Sequence, residues 1–338
     1  MKEFLYFKEN TEKHMHAGYK ARADALAIFK KNGGKGIDFF EKPMNNAFVK
    51  VWHLFGLMRI VRRMKKGDIL FLQSQTRLVG KVIRKIKKRE VRVVLLIHDI
   101  DGLRYSNPVS LERELFLMRN CDVIIVHNNA MMEKLVSMGI ERSCMINLGI
   151  FDYLCEKPEK PKTRHGICFA GNLSKSAFLR KLPSDILDYG MRLYGPNPDN
   201  CELDKRAVYE GSFPPEDVQN RISDCKYALV WDGDSCETCD GSTGEYMKLN
   251  NPHKLSLYMA AGVPVIVWDK AAIAEFVRKN GLGICVASLD DVAVKVRGIS
   301  PELYQNFLEN VKKVGENVRD GYYLGNAVKK AFEILGIV

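Results

Sequence analysis

Nowhere in these 338 residues does an apolar run approach the roughly 20 residues that a bilayer-spanning helix needs. The opening stretch MKEFLYFKENTEKHMHAG has neither the apolar core nor the small-residue cleavage site of a secretory signal, so a cytoplasmic location is expected. A disulfide framework is also missing. The nine cysteines are odd in number, and Cys121, Cys144, Cys168, Cys225 and Cys285 lie among apolar runs, as reduced core thiols do. Cys236 and Cys239 form one CxxC with no second pair at zinc-site spacing, and a plain loop is expected there. No RNP, helix-turn-helix or zinc-finger pattern occurs, and the basic helical segments lack interleaved stacking aromatics, which argues against nucleic acid as a partner. Acidic residues are scarce in the first half. Residues 1–155 hold 28 Lys and Arg against 16 Asp and Glu, whereas residues 156–338 hold 24 against 25. The formal net charge of +11 therefore resides in the first half, which suits an anionic partner such as a membrane surface or a polyprenyl diphosphate.

With 46% hydrophobic residues spread along the chain, there is material for two cores. Strand-like runs alternate with helical patterns. Glu3–Phe7, Asp68–Gln73, Val91–Ile97, Cys121–Val126 and Met145–Ile150 read as strands, with helices predicted over 19–31, 77–89 and 111–119. This alternation implies βαβ units and a parallel sheet. The segment FVKVWHLFGLMRIVRRMKK, 48–66, is predicted to be a helix with Val51, Leu54, Phe55, Met58 and Val61 or Arg62 on one face and basic residues on the flanks. It can pack on a core or lie in a membrane interface. The charged, two-proline stretch Glu156–Gly166 is the expected linker, and a second set of strands begins at Ile167.

The second half is organised around Val230–Asp269. An apolar run from Tyr227 to Trp231 ends abruptly in the acidic, Gly-rich segment Asp232–Gly244, as a buried strand does on entering a loop. Asn251 and Pro252 precede a helix with His253 and Lys254 in its first turn, and Gly262 and Pro264 lead into the strand Val265–Val267. A helix N-terminus and an ammonium at the carboxyl edge of a parallel sheet suit a diphosphate. Gly171, Asn172, Lys175 and Arg180 repeat this pattern after the strand Ile167–Ala170, as a strand, a Gly-Asn turn and a helix bearing two cations. In the first half, His98, Asp99 and Asp101 follow the strand Val91–Ile97, where acid–base groups of α/β sites gather, although either Asp could equally cap the next helix.

The segment NPHKLSLYMAAGVPVIVWDKAAIAEFV, together with FAGNLSKSAFL and more loosely HDIDGLR, resembles the GT-B glycosyltransferases. It looks in particular like the bacterial group that includes adhesin glucosyltransferases and β-1,6-galactofuranosyltransferases. The resemblance covers nearly the whole chain. It implies two Rossmann-like α/β domains with parallel sheets facing across a cleft. An acceptor domain would span 1–155, a linker 156–166, a nucleotide-sugar domain 167–314, and C-terminal helices over 315–338 would pack back on the first domain. The implied activity is transfer of a hexosyl group from a UDP-sugar to a saccharide acceptor on a lipid carrier or glycoprotein, with inversion, for cell-surface glycan or glycoprotein synthesis. No cofactor or metal is expected, the triplet Asp232-Gly233-Asp234 being a formal DxD in a domain where Lys254 and Lys175 can neutralise the leaving UDP. The resemblance also implies self-association, and a peripheral position on the inner membrane face is compatible with the basic half.

The same resemblance places Gly18 near the sugar or diphosphate and makes Tyr194 and atoms of the Gly195-Pro196-Asn197 loop after it candidate contacts to the base. It makes Asp99, Asp101 and His98 candidates for the base that takes the acceptor proton. One departure stands out: the Glu that many of these enzymes carry three residues after the Lys is Leu257 here. Either Asp232 or Glu245 holds the ribose, or the ligand is held mainly by its base and phosphates. A UDP-sugar epimerase or a non-catalytic partner subunit would share most of these features.

Overall fold

Runs of β-branched and aromatic residues that are buried on both faces are satisfied in parallel sheets covered by helices, and the described residues form two such sheets of six strands each. The computed structural model describes residues 2–8, 17–38, 47–73, 79–198 and 203–337, with backbone alone at 17, 18 and 47–50. The predicted loop residues His14 and His16 lie outside the described residues. The chain divides into two compact units.

Unit 1 comprises Met1–His14, Arg22–Leu148 and Leu324–Val338. Its strands are β1 (Phe4–Lys8), β2 (Lys35–Asp38), β3 (Ile69–Gln73), β4 (Arg92–Leu96), β5 (Val123–Val126) and β6 (Met145–Asn147). They pair in parallel in the order β2-β1-β3-β4-β5-β6. Between them run the helices α1 (Ala17–Lys31), α2 (Ala47–Arg63), α3 (Val79–Lys88), α4 (Asp101–Arg104), α5 (Pro108–Met118) and α6 (Asn129–Ser137). The strand β2 is not foretold by the sequence because KGID has no apolar alternation; it is an edge strand held by its backbone register against Leu5–Lys8.

Helix α2 forms where expected but turns differently. Its buried stripe is His53, Leu57 and Val61, continued by Met64, whereas Val51 and Phe55 are exposed. Apolar residues occur nearly all round this helix, so periodicity alone does not select the core-facing stripe.

Unit 2 comprises Met15–Ala21 and Gly149–Tyr323. Its strands are β7 (His165–Ala170), β8 (Met191–Tyr194), β9 (Ala207–Gly211), β10 (Cys225–Val230), β11 (Val265–Trp268) and β12 (Gly283–Val286). The helices are α7 (Ser184–Gly190), α8 (Val218–Ile222), α9 (Gly241–Tyr246), α10 (His253–Ala260), α11 (Ile273–Asn280), α12 (Val292–Arg297) and α13 (Pro301–Asp320). A last helix, α14 (Tyr322–Ile334), enters unit 1 at Leu324, where Phe332 meets Phe4 edge-on at 5.1 Å. Helix α13 stays with unit 2, Arg319 donating to the carbonyl of Ala260 at 2.8 Å. The strand β9 lies at the edge of the unit 2 sheet.

The sheet order in unit 2 is β12-β11-β10-β7-β8-β9, all parallel. This is the doubly wound order in which chain direction across the sheet reverses between the first and fourth strands, here β7 and β10. Ligand crevices of such sheets open at the carboxyl ends of those two strands. The ends are fastened together by Tyr258 of α10, which is fully buried. The N–H of Ala170 donates to its hydroxyl at 2.9 Å, and the hydroxyl donates to the carbonyl of Leu229 at 3.1 Å.

Removing that hydroxyl leaves a buried N–H and a buried carbonyl without partners. Tyr258→Phe is expected to destabilise unit 2 by about 1–3 kcal/mol in chemical denaturation of the full chain. A change within experimental error would mean that water replaces the bridge.

Candidate functional site

The two strands at the reversal deliver Gly171 and Asp232, and α10 brings Lys254 to the same place because it lies one helical turn before Tyr258. The Nζ of Lys254 donates to the carbonyl of Trp231 at 3.2 Å and lies 3.8 Å from Oδ2 of Asp232. It also stands 4.3 Å from the centroid of the Phe169 ring, within cation–π reach. A Cβ on Gly171 would approach Cε of Lys254 to 3.0 Å, so the absence of a side chain at 171 makes room for the lysine. The three predicted residues Gly171, Asp232 and Lys254 are thus brought together. Phe169 and the Trp231 carbonyl, which no sequence signal marked, complete the setting.

Asn172 follows directly, but its side chain serves the loop. Its Oδ1 accepts from Ser174 N at 3.2 Å, Ser174 Oγ at 2.8 Å and Asn197 Nδ2 at 3.2 Å. The expected helix bearing Lys175 and Arg180 is a correction: the chain makes two short 3-10 turns, Leu173–Lys175 and Ala177–Lys181. Leu173, Phe178 and Leu179 must all reach the core from this short stretch, and tight turns satisfy that where a regular helix would not. Lys175 and Arg180 are exposed, and neither shares a contact with Lys254 among those described.

Tyr194 is also corrected. Its side chain is buried and its hydroxyl donates to the carbonyl of Arg221 at 3.2 Å, so the ring belongs to the core and burial raises its pKa. The strand end offers instead the turn Gly195-Pro196-Asn197, packed tightly against Gly171. At φ +136° a Cβ on Gly195 would fall 1.9 Å from the Gly171 carbonyl oxygen, so only glycine fits. Glu245 is exposed and paired with Lys248 at 2.6 Å, which takes it out of the group around Lys254. Leu257 is buried in the core.

Asn251 and His253 anchor the start of α10. Asn251 Nδ2 donates to the carbonyl of Gly149 at 2.8 Å, and His253 Nε2 lies 3.3 Å from the carbonyl of Asp152. That contact assigns the proton to Nε2 and leaves Nδ1 as a buried acceptor without a partner among the described residues. The imidazole stacks obliquely on Tyr153 at 5.3 Å. Burial, reinforced by Lys20, pushes its pKa down to about 4. Lys20 is itself buried, its Nζ donating to Leu154 O at 2.5 Å and lying 4.8 Å from the Tyr153 ring centroid. Gly18 sits in the first turn of α1, two residues before it.

The acidic loop is closed by Asp240, whose Oδ1 accepts from Asp234 N at 2.7 Å and Ser235 N at 3.1 Å. Among the described residues no three His, Cys, Asp or Glu side chains gather as a metal site. Cys236 and Cys239 are free, buried thiols whose pKa values burial pushes up to about 11 and about 12.

In unit 1 the residues after β4 form their own cluster. Asp99 Oδ2 accepts from Arg104 Nη1 at 2.9 Å. Desolvation outweighs that ion pair and lifts the Asp99 pKa to about 6. Asp101 opens α4, where its backbone N–H and that of Gly102 both donate to the carboxylate of Glu114 at 2.9 Å. His98 Nε2 meets Gln73 Oε1 at 2.5 Å. His127, at the end of β5, is buried against the carbonyl of Ile97 at 3.0 Å with its pKa lowered to about 4, and Asn128 caps α6. Burial also raises the pKa of the neighbouring Glu114.

Comparison with known proteins gives two adjoining family matches. Residues 5–150 match the model "Glucosyltransferase 3-like, N-terminal domain" and residues 167–331 match "Glucosyltransferase 3-like, C-terminal domain". The β-1,6-galactofuranosyltransferase WbbI of Escherichia coli (strain K12) is 32% identical over 329 residues, covering 94% of this chain and 95% of that protein. Glucosyltransferase 3 of Streptococcus parasanguinis is 27% identical over 270 residues, 78% of each chain. In fold, the chain is similar to an alpha-glucosyltransferase solved in complex with UDP, with TM-score 0.59, 13% identity and coverage of 99% and 100%. It is likewise similar to S. aureus MnaA solved with UDP, with TM-score 0.57, 12% identity and coverage of 100% and 98%.

The two buried histidines carry a pH prediction. The unfolded chain accepts their protons near pH 6.5 and the folded chain refuses them until about pH 4, so each removes stability as pH falls through that window. Ring resonances of His127 and His253 are expected to stay still between pH 8 and 5. A midpoint near 6.5 for either ring would show it to be solvated.

Proposed function

The chain belongs to the glucosyltransferase 3-like family and is a GT-B glycosyltransferase, and from that premise we propose that it transfers a hexosyl group from a UDP-sugar to a saccharide acceptor with inversion at the anomeric carbon. The observation that carries the donor half is Lys254, held over Phe169 at the reversal point of the unit 2 sheet in the first turn of α10. The UDP present in two solved structures of the same fold supports the choice of nucleotide. The names of the relatives support a glucosyl or galactofuranosyl group, and the acceptor in this proposal is a saccharide on a lipid carrier or glycoprotein.

In this reading the acceptor oxygen forms a bond to the anomeric carbon while the bond from that carbon to the diphosphate oxygen breaks, and UDP leaves with the electron pair. Lys254 and the first-turn amides of α10 stabilise the negative charge that gathers on the diphosphate. Asp99 takes the hydroxyl proton. Its raised pKa suits the task, being high enough to bind the proton and low enough to leave the group ionised at neutral pH. Asp232, beside Lys254, is the better candidate for the ribose hydroxyls, since Glu245 is engaged by Lys248. The positive charge of Lys254 and the helix end stands in for a metal, and no metal dependence is expected.

Calorimetric titration of UDP with and without magnesium tests the donor half. Lys254→Ala is expected to weaken binding at least tenfold and to lower turnover by about two orders of magnitude or more; unchanged affinity would remove Lys254 from the site.

Asp99→Asn is expected to keep UDP affinity and lose transfer by about 10²–10⁴-fold. The wild-type rate should fall below about pH 6, as Asp99 is protonated. Because Arg104 lowers the Asp99 pKa, Arg104→Gln should move that limb upward. If the limb stays in place in that variant, the base is another group.

A further inference from the structure

Helix α2 presents two opposite stripes. The buried one, His53, Leu57 and Val61, faces the unit 1 core. The other begins with Val51, Trp52 and Phe55 and continues one and two turns later with the exposed Arg59, Arg62 and Arg63. Trp52 is 69% exposed and Phe55 67%, whereas the other two tryptophans, Trp231 and Trp268, are 0% and 1% exposed. Two neighbouring large aromatics left in water on one helix face call for a covering surface.

The charge beside them says what kind. Helix α3 lies against α2, Lys85 Nζ reaching to 3.7 Å from Met58 Sδ, and it turns Lys81, Arg84, Lys85 and Lys88 outward. Neither α2 nor α3 contains an acidic residue. A cavity of about 170 Å³ between them is lined by apolar Met58, Val61 and Val82 and by cationic Arg62, Lys85 and Lys88. Aromatic side chains that seek the boundary between water and hydrocarbon, next to cations that seek phosphate, match an anionic bilayer surface on both counts. No helix among the described residues is long and apolar enough to cross a membrane, so the contact would be a peripheral one.

We propose that unit 1 docks on anionic lipid bilayers through the exposed face of α2, with Trp52 and Phe55 entering the headgroup region and the arginines of α2 and lysines of α3 binding lipid phosphates. It is independent of the donor reading, since docking needs no nucleotide.

The test is co-sedimentation of the full chain with large vesicles of phosphatidylglycerol and phosphatidylcholine, or of phosphatidylcholine alone, read together with tryptophan emission. Binding is expected to the anionic vesicles only, to weaken at least tenfold between about 0.1 M and about 0.5 M salt, and to shift the emission to shorter wavelength. Since Trp52 is the exposed tryptophan, the Trp52→Ala variant should lose the shift. The double variant Trp52→Ala/Phe55→Ala should bind vesicles at least tenfold more weakly while keeping its circular dichroism spectrum and UDP affinity. Arg59→Glu/Arg62→Glu should do the same. Absence of vesicle binding, or binding that these variants leave intact, overturns the proposal. So does a concentration-dependent dimer in sedimentation velocity that Trp52→Ala/Phe55→Ala dissociates, because the face would then be covered by a second copy.

Discussion

A single phenol spans the point where the unit 2 sheet changes direction. At any such reversal the two central strands have their connections on opposite faces, and their carboxyl ends are left without a shared loop. Tyr258 supplies the missing link by accepting from β7 and donating to β10. Since it belongs to α10, the same two hydrogen bonds set the depth at which that helix sits. Lys254, four residues earlier, is thereby carried to the strand ends, and Phe169 and the Trp231 carbonyl receive its ammonium. The placement of the cation is a by-product of satisfying two backbone groups.

Unit 1 shows a different balance at Asp99. Its carboxylate has the arginine partner that ordinarily holds a pKa low, yet desolvation prevails and the pKa rises to about 6. The neighbouring Glu114 is also pushed upward by burial, though it accepts two backbone N–H groups. These carboxylates crowd a short stretch after β4 in which the helical turn α4 must begin. Glu114 serves that turn from a distance of thirteen residues, so the proton-binding group and the group that shapes its loop are distinct.

The parallel α/β architecture was legible from the sequence because buried strands such as Val91–Ile97 and Tyr227–Trp231 are continuous apolar runs between helical patterns. The start of the helix that carries Lys254 was legible too, through the polar turn and proline that precede it. The edge strands β2 and β9 were not, because KGID and AVYEG lack the continuous apolar run of a buried strand. Tyr194 and Glu245 misled for opposite reasons. A tyrosine at a strand end can point into the core or out of it, and the Arg221 carbonyl decides. A glutamate beside an acidic loop takes the nearest cation, and Lys248, three residues on, supplies one at 2.6 Å. Neither decision is written in local spacing. The face of α2 escaped detection because its apolar residues outnumber what one stripe can bury.

The contact between Gly195 and the Gly171 carbonyl also constrains how such a site can diversify. With 1.9 Å between that oxygen and any Cβ, position 195 admits no side chain, and position 171 is hemmed in by the lysine on its other flank. Variation in this corner of the crevice must therefore fall on its outer rim, on residues such as Asn172 and Asn197 that bond to one another across the two turns. A lineage exploring new donors would keep the floor of the crevice as it is and exchange that pair, most readily both at once.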